Sequence, residues 1–264
     1  MTRLRSLLFV PAHDARKIEK SRELRPDAVV VDLEDAVEPG AKDRARSALA
    51  ALPAHPSALV LVRVNGPRSA DFERDLEAAR GAAGIVVPKC ESAADVARAA
   101  VGSARLIPMI ESAAGILAAP GIARASERVV ALAFGAEDYC ADMGIRRTSG
   151  GDELAPARAA IAHAARAAGR DAIDGAFMDL ADEAGLLADA ARARAMGFSG
   201  KLLIHPRQIE PVHRAFAPDE RDLDWARKVL EAFEAAGGGL VVVDGRLVDA
   251  PVAAQARRIL GRAP

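Results

Sequence analysis

The sequence predicts an α/β fold, a closed (β/α)8 TIM-type barrel with a C-terminal extension of helix and short strand. Three observations lead there. Eight short apolar runs recur along the chain, each followed by an Ala-, Arg-, Glu- and Leu-rich stretch with helical spacing. That alternation, with strands apolar on both faces, implies a parallel sheet covered by helices, and eight strands within about 205 residues suit a closed barrel. The alternative is an open doubly wound sheet, but no GxGxxG follows the first run to support a dinucleotide-binding version.

The series opens with "SLLFV" (6–10). Arginines and an apolar run at this terminus mimic a signal peptide, but Pro11 breaks the run within five residues, so it reads as the first strand. "AVVVDLED", "ALVLVRVN", "GIVVPK", "RLIPMIES", "VVALAFGAED", "AFMD" and "KLLIHP" follow as strands two to eight. Helices are expected at 14–24, 41–51, 70–80, 92–100, 153–168 and 182–196, with Ser92 as a start signal and Gly169 as a stop. These elements make residues 1–216 the barrel. Residues 217–264 form the extension: a helix near 219–236, the stop "GGG", a short strand "LVVVDG" and a last helix near 251–261. A lid or partner-facing arm would suit it.

Composition narrows the function classes. The 264 residues are 51% hydrophobic but only 3% aromatic, so the core is built from Ala, Val, Leu and Ile. Thirty-six Lys and Arg balance 37 Asp and Glu, and no basic stripe with interleaved aromatics marks a nucleic-acid face. No apolar window reaches membrane-span length, and Cys90 and Cys140 are too few for a secreted disulfide framework. A cytoplasmic location is expected.

In a barrel the active site lies at the C-terminal strand ends. Those positions hold Glu34 and Asp35, Arg63 and Asn65, Lys89, Glu111, then Glu137 and Asp138. Unpaired carboxylates in a dry interior would neutralise rather than stay charged, so a shared mouth with cations or a metal is expected to compensate them. Four or more carboxylates without a His or Cys cluster suit a hard cation, Mg²⁺ above all. Mg²⁺ takes one or two direct carboxylates and keeps waters or substrate oxygens elsewhere; spacing alone leaves open which acids bind it.

"RSLLFVPA", "DLEDAVEPGAK", "VRVNGP", "VVPK", "PMIESAAGI", "AFGAEDYCADMG", "LLIHPRQI" and "VDGRLVDAP" occur in this order over nearly the whole chain. Together they resemble the citrate lyase β-subunit-like proteins of the HpcH/HpaI aldolase family. The resemblance implies a Mg²⁺-dependent barrel, trimeric or hexameric, that cleaves or forms a C–C bond in a β-hydroxyacyl-CoA of the malyl, citramalyl or citryl type. The products would be an acyl-CoA and a 2-oxoacid. It implies Glu111 and Asp138 as metal ligands that also place the substrate, Arg63 as the oxoacid-binding arginine, and Glu34 and Asp35 behind the metal, holding its water. It also implies that Asp249 is a catalytic base supplied across a subunit interface, although Asp244 stands only five residues away.

Alternatives stay open: a β subunit acting on a carrier-bound thioester, a metal-dependent aldolase on a free 2-oxo-4-hydroxy acid, or a non-catalytic oxoacid-binding protein. Blander roles also stand beside the chemical ones. Glu34 and Asp35 can pair with Arg63 or cap a helix, and Lys89 can be a simple ion-pair partner; acids around it would oppose the lowered pKa of a Schiff-base lysine. His205 can be a satisfied strand-end histidine, Gly135 a point of close backbone approach, and Cys90 and Cys140 small buried residues. Basic residues such as Arg5, Arg16 or Lys42 are candidates for CoA.

Overall fold

The computed structural model describes residues 4–52 and 54–261. Eight strands form the barrel wall: β1 (Ser6–Pro11), β2 (Ala28–Asp32), β3 (Leu59–Arg63), β4 (Gly84–Val87), β5 (Arg105–Ile110), β6 (Ala131–Phe134), β7 (Asp171–Asp174) and β8 (Gly200–Leu203). Each pairs in parallel with its sequence neighbour, and β8 returns to β1, so the expected closed barrel is what the chain forms. Alternate residues turn inward, among them Leu7, Val30, Leu61, Val86, Ile107 and Leu202, and pack as one apolar core.

Helices α1 (Ala15–Ser21), α2 (Lys42–Leu49), α3 (Phe72–Ala78), α4 (Ala93–Ala99), α5 (Ala113–Arg124), α6 (Ala136–Asp142), α7 (Ala155–Ala167) and α8 (Glu183–Ala195) connect the strands. Their starts are chemically marked. Asp14, Ser92, Ser112 and Asp182 each accept a backbone N–H of the first turn, at 3.0, 3.2, 3.1 and 2.8 Å. Gly169 ends α7 at φ +68°, a left-handed conformation that an L side chain resists. Helices α5 and α6 lie outside the predicted spans.

One strand differs from expectation. "AFMD" (176–179) is not β7; the strand is the preceding Asp171–Asp174, and "AFMD" lies in the loop that follows. Its apolar signal is weak because Asp174 is fully buried yet polar, held by Arg158 and Lys201 behind the barrel wall. Glu137 and Asp138 likewise stand in the first turn of α6, past the end of β6.

The chain divides into two compact units between His213 and Arg214. Helix α9 (Ile209–Phe216) spans that division. In the second unit, α10 (Glu220–Ala235) and α11 (Ala250–Leu260) pack through Ala226, Val229, Phe233, Ala253 and Ala256. The expected strand is β9 (Val241–Val243), and it pairs antiparallel with an unanticipated β10 (Arg246–Val248). Their turn, Asp244–Gly245, has φ of +49° and +75°, as a tight two-residue hairpin requires. Among the described residues no helix is long and apolar enough to cross a membrane.

Candidate active site

Strand register brings the first ion pair together. Asp32 and Arg63 are cross-strand partners at the ends of β2 and β3. Arg63 donates through Nε and Nη2 to the two Asp32 oxygens, both at 2.7 Å, while its guanidinium lies 4.7 Å above the Phe9 ring centroid. The backbone N–H groups of Glu34 and Ala36 complete Asp32's shell at 2.9 and 3.1 Å. The other terminal nitrogen of Arg63, Nη1, lies 2.9 Å from Glu34 Oε2 and 3.8 Å from Asp35 Oδ2.

Glu34 is buried, and burial pushes its carboxyl pKa up against the opposing pull of Arg63 and Lys89. Lys89 Nζ pairs with Glu34 Oε1 and stands 3.6 Å from Asp35 Oδ1. For Lys89, burial alone would lower the pKa, but Glu34, Asp35 and Glu111 together raise it. A Schiff-base role therefore has no electrostatic support. The Lys89 backbone matters as well. At φ +51° it turns its N–H onto Glu111 Oε1 at 2.6 Å.

Glu111 directly follows β5 and is 4% exposed. Its pKa is pushed up to about 8, first by burial, then by the negative charges of Glu34 and Asp138. Its second oxygen, Oε2, is buried and accepts no hydrogen bond. Gly135 makes its position possible: a β-carbon there would stand 2.1 Å from that oxygen. Asp138 follows one helical turn after Gly135 and is half-buried. An unpaired oxygen on a buried carboxylate whose pKa a second carboxylate helps to raise suits a divalent cation. Among the described residues no three His, Cys, Asp or Glu side chains converge as a ligand cage; a pair of carboxylates is compatible with Mg²⁺, which keeps waters or substrate oxygens in its other positions.

A cavity of about 770 Å³ has Asp32, Asp35, Arg63, Gly135 and Asp138 in its wall, whereas Glu34, Lys89 and Glu111 are not among its lining residues. His205 also lines it, its Nδ1 accepting the Arg207 N–H at 3.1 Å. Of the basic residues considered for CoA, Arg16 lies on the cavity wall. Arg5 does not; it grips Asp27 at the start of β1, with contacts of 3.0 and 2.9 Å. Lys42 is consumed locally, donating to the Leu33 and Glu34 carbonyls and Asn65 Oδ1 at 2.6, 2.7 and 2.9 Å. Cys90 and Cys140 are free and buried, and burial pushes the Cys90 thiol up to about 12. Asp249 belongs to the second unit, where Oδ1 caps α11 through the Val252 N–H at 3.1 Å; Asp244 stands 3.7 Å from Lys228.

Sequence reasoning left Asp32 without a role, although it stands one residue before Leu33 in the same acidic run. Aligning the ends of β2 and β3 would have exposed it as the partner of Arg63. It also missed the Lys89 amide, since a backbone angle leaves no mark in residue type.

Residues 5–206 match the family model described as HpcH/HpaI aldolase/citrate lyase. The chain is 41% identical to the citrate lyase subunit beta of Escherichia coli (strain K12), covering 98% of this chain and 93% of that one. It is 36% identical to a (3S)-malyl-CoA thioesterase of Cereibacter sphaeroides, covering 98% and 94%. The crystal structure of CitE from Mycobacterium tuberculosis in complex with magnesium, acetoacetate and coenzyme A superposes with a TM-score of 0.89 at 36% identity, covering 99% and 98% of the two chains. A second structure from that organism holds oxaloacetate and magnesium, with a TM-score of 0.75 over 82% of this chain and 98% of that one, at 36% identity. With its barrel, the family match over residues 5–206 and these relatives, the chain belongs to the HpcH/HpaI aldolase/citrate lyase family and is a carbon–carbon lyase.

Proposed function

We propose that this protein is a Mg²⁺-dependent lyase that cleaves or forms the C–C bond of a β-hydroxyacyl-CoA, yielding an acyl-CoA and a 2-oxoacid. The observation that carries the reading is the buried Glu111 carboxylate, with one oxygen unpaired, beside Asp138 and Arg63. Glu111 and Asp138 would hold the metal. Bound there, Mg²⁺ supplies Lewis-acid polarisation of the oxoacid's oxygens. Arg63 fixes the oxoacid by charge and orients it, with Asp32 keeping the guanidinium from swinging away. Glu34 and Asp35 orient water around the metal, and Lys89 balances their charge.

Residues 217–264 serve in this reading as an arm of a homotrimer or hexamer, bringing Asp249 to the mouth of a neighbouring subunit. There the Asp249 carboxylate would take the β-hydroxyl proton on cleavage, or the thioester α-proton on condensation. Arg16, Lys17 and Lys20, exposed on α1 along the cavity, offer charge to CoA phosphates. Glyoxylate, pyruvate and oxaloacetate differ by small groups, and one methyl is worth about 1–3 kcal/mol of discrimination.

The test is to incubate the protein with malyl-, citramalyl- and citryl-CoA, with Mg²⁺ and again with EDTA. Metal-dependent release of a 2-oxoacid from one of them is expected, and Glu111→Ala should abolish it. The 41% identity to a citrate lyase β subunit favours one second reading, a thioester tethered to a carrier protein. Silence on all three free esters together with turnover of a carrier-bound ester would replace the CoA reading with that one.

A further inference from the structure

Helix α6 carries Asp138, yet its N-cap, Gly135, has no side chain with which to hold the first turn. The turn is held from outside. Arg147, in the loop between α6 and α7, has a side chain only 16% exposed. Its Nη1 donates to Glu137 Oε1 and to the Ala176 carbonyl, the latter at 3.0 Å. Glu137 is the chain neighbour of Asp138, and both Glu137 and Ala176 line the cavity. One guanidinium nitrogen thus pins the α6 turn to the loop after β7.

The other end of Arg147 faces an anchor. Its Nη2 stands 3.9 Å from Asp189 Oδ2 on α8. Asp189 accepts Arg158 Nη2 at 2.7 Å and Lys201 Nζ at 2.6 Å, and the same two cations hold Asp174 at 2.8, 2.9 and 2.5 Å. Arg158, Lys201 and Asp174 are fully buried, and Asp189 is nearly so. These four charges are neutral as a set and tie α7, α8, β7 and β8 together, a frame that resists small displacements.

We propose that Arg147 is a positioning residue for the metal site: through Glu137 it fixes the first turn of α6, so that Asp138 already faces Glu111 before the cation arrives. This rests on the reading of Glu111 and Asp138 as the ligands. A seven-residue helix without a side-chain cap frays at its start, and ordering it on binding would cost affinity. Arginine is required because two donors of one planar group must reach a carboxylate and a carbonyl while the next nitrogen faces Asp189. Outer partners of metal ligands typically contribute about 10–100-fold in affinity.

Calorimetric titration of Mg²⁺ into the full-length protein, without substrate, tests this, with thermal melting measured in parallel. Arg147→Gln should weaken binding about 10-fold or more, and Glu137→Gln should do the same from a half-exposed position whose loss leaves the fold intact. The double variant should lose no more than the worse single, and Arg147→Lys should recover part of the loss. Wild-type affinity in both single variants overturns the proposal, as does a double variant whose loss is the product of the two. If wild type binds no Mg²⁺, or Glu111→Gln binds as tightly as wild type, the ligand assignment itself fails and this inference falls with it.

Discussion

Glu111 illustrates how one residue can be structurally costly and chemically apt at once. Its folded pKa of about 8 lies above the ordinary 4.5, so in metal-free protein the folded state holds a proton that the unfolded chain releases. The stability this provides is complete below about pH 4.5 and is lost as pH rises through 8. In EDTA, urea midpoints of wild type should therefore fall relative to Glu111→Gln between pH 5 and 9. In the proposed role as a metal ligand Glu111 must shed that proton, so Mg²⁺ affinity should rise about tenfold per unit toward pH 8, with proton release visible in buffers of different ionisation enthalpy. Lys89 gives a second residue-scale prediction. Lys89→Gly and Lys89→Ala both lose the bond to Glu34, but only glycine relaxes the φ of +51°. Denaturant unfolding should find the glycine variant more stable by about 1 kcal/mol. Glu111 and Arg63 could be placed at the barrel mouth from the sequence because strand ends gather there; the Lys89 amide could not, because conformation at one residue is decided by its neighbours in space.

Among the elements, β7 shows where pattern reading fails. A strand is recognised by apolar side chains, and Asp174 substitutes a buried charge for one of them. "AFMD" looked more strand-like because Ala176 and Met178 face the cavity rather than a core. The charges that hid β7 also hold its place. Lys201→Met leaves Asp174 and Asp189 with one cation fewer in a dry site, and should cost about 3–5 kcal/mol in chemical denaturation. A methionine variant as stable as wild type would remove the buried frame from the account of how α7 and α8 are held. The end of β6 was misplaced for a related reason: Gly135 looks like strand continuation in sequence, whereas its missing side chain is space for Glu111.

For the whole molecule, the barrel was readable because the same strand-then-helix unit recurs, and repetition makes each uncertain element confirm its neighbours. The hairpin of the second unit was half-read: β10 is three residues long with two exposed side chains, too short to show a period. The proposed cross-subunit role of Asp249 has a direct consequence. Asparagine caps a helix about as well as aspartate, so Asp249→Asn should keep α11 intact while removing the base. Neither Asp249→Asn nor Glu111→Gln should turn over alone. Mixing them and allowing subunits to exchange should regenerate activity, since some interfaces then combine an intact base with an intact metal site. Permanent inactivity of an exchanged mixture would confine the chemistry to one chain or to another base.

The clamp of Asp32 on Arg63 has a consequence for selectivity. A guanidinium gripped on two edges and stacked on a phenyl ring cannot follow a ligand that arrives off-centre. It acts as a fixed gauge, not an adjustable hand. If Arg63 binds the oxoacid as proposed, ligands that extend a little past it gain nothing by bending the protein, so turnover across a homologous series should drop in a step at one chain length, where a pliant receptor would give a gentle slope.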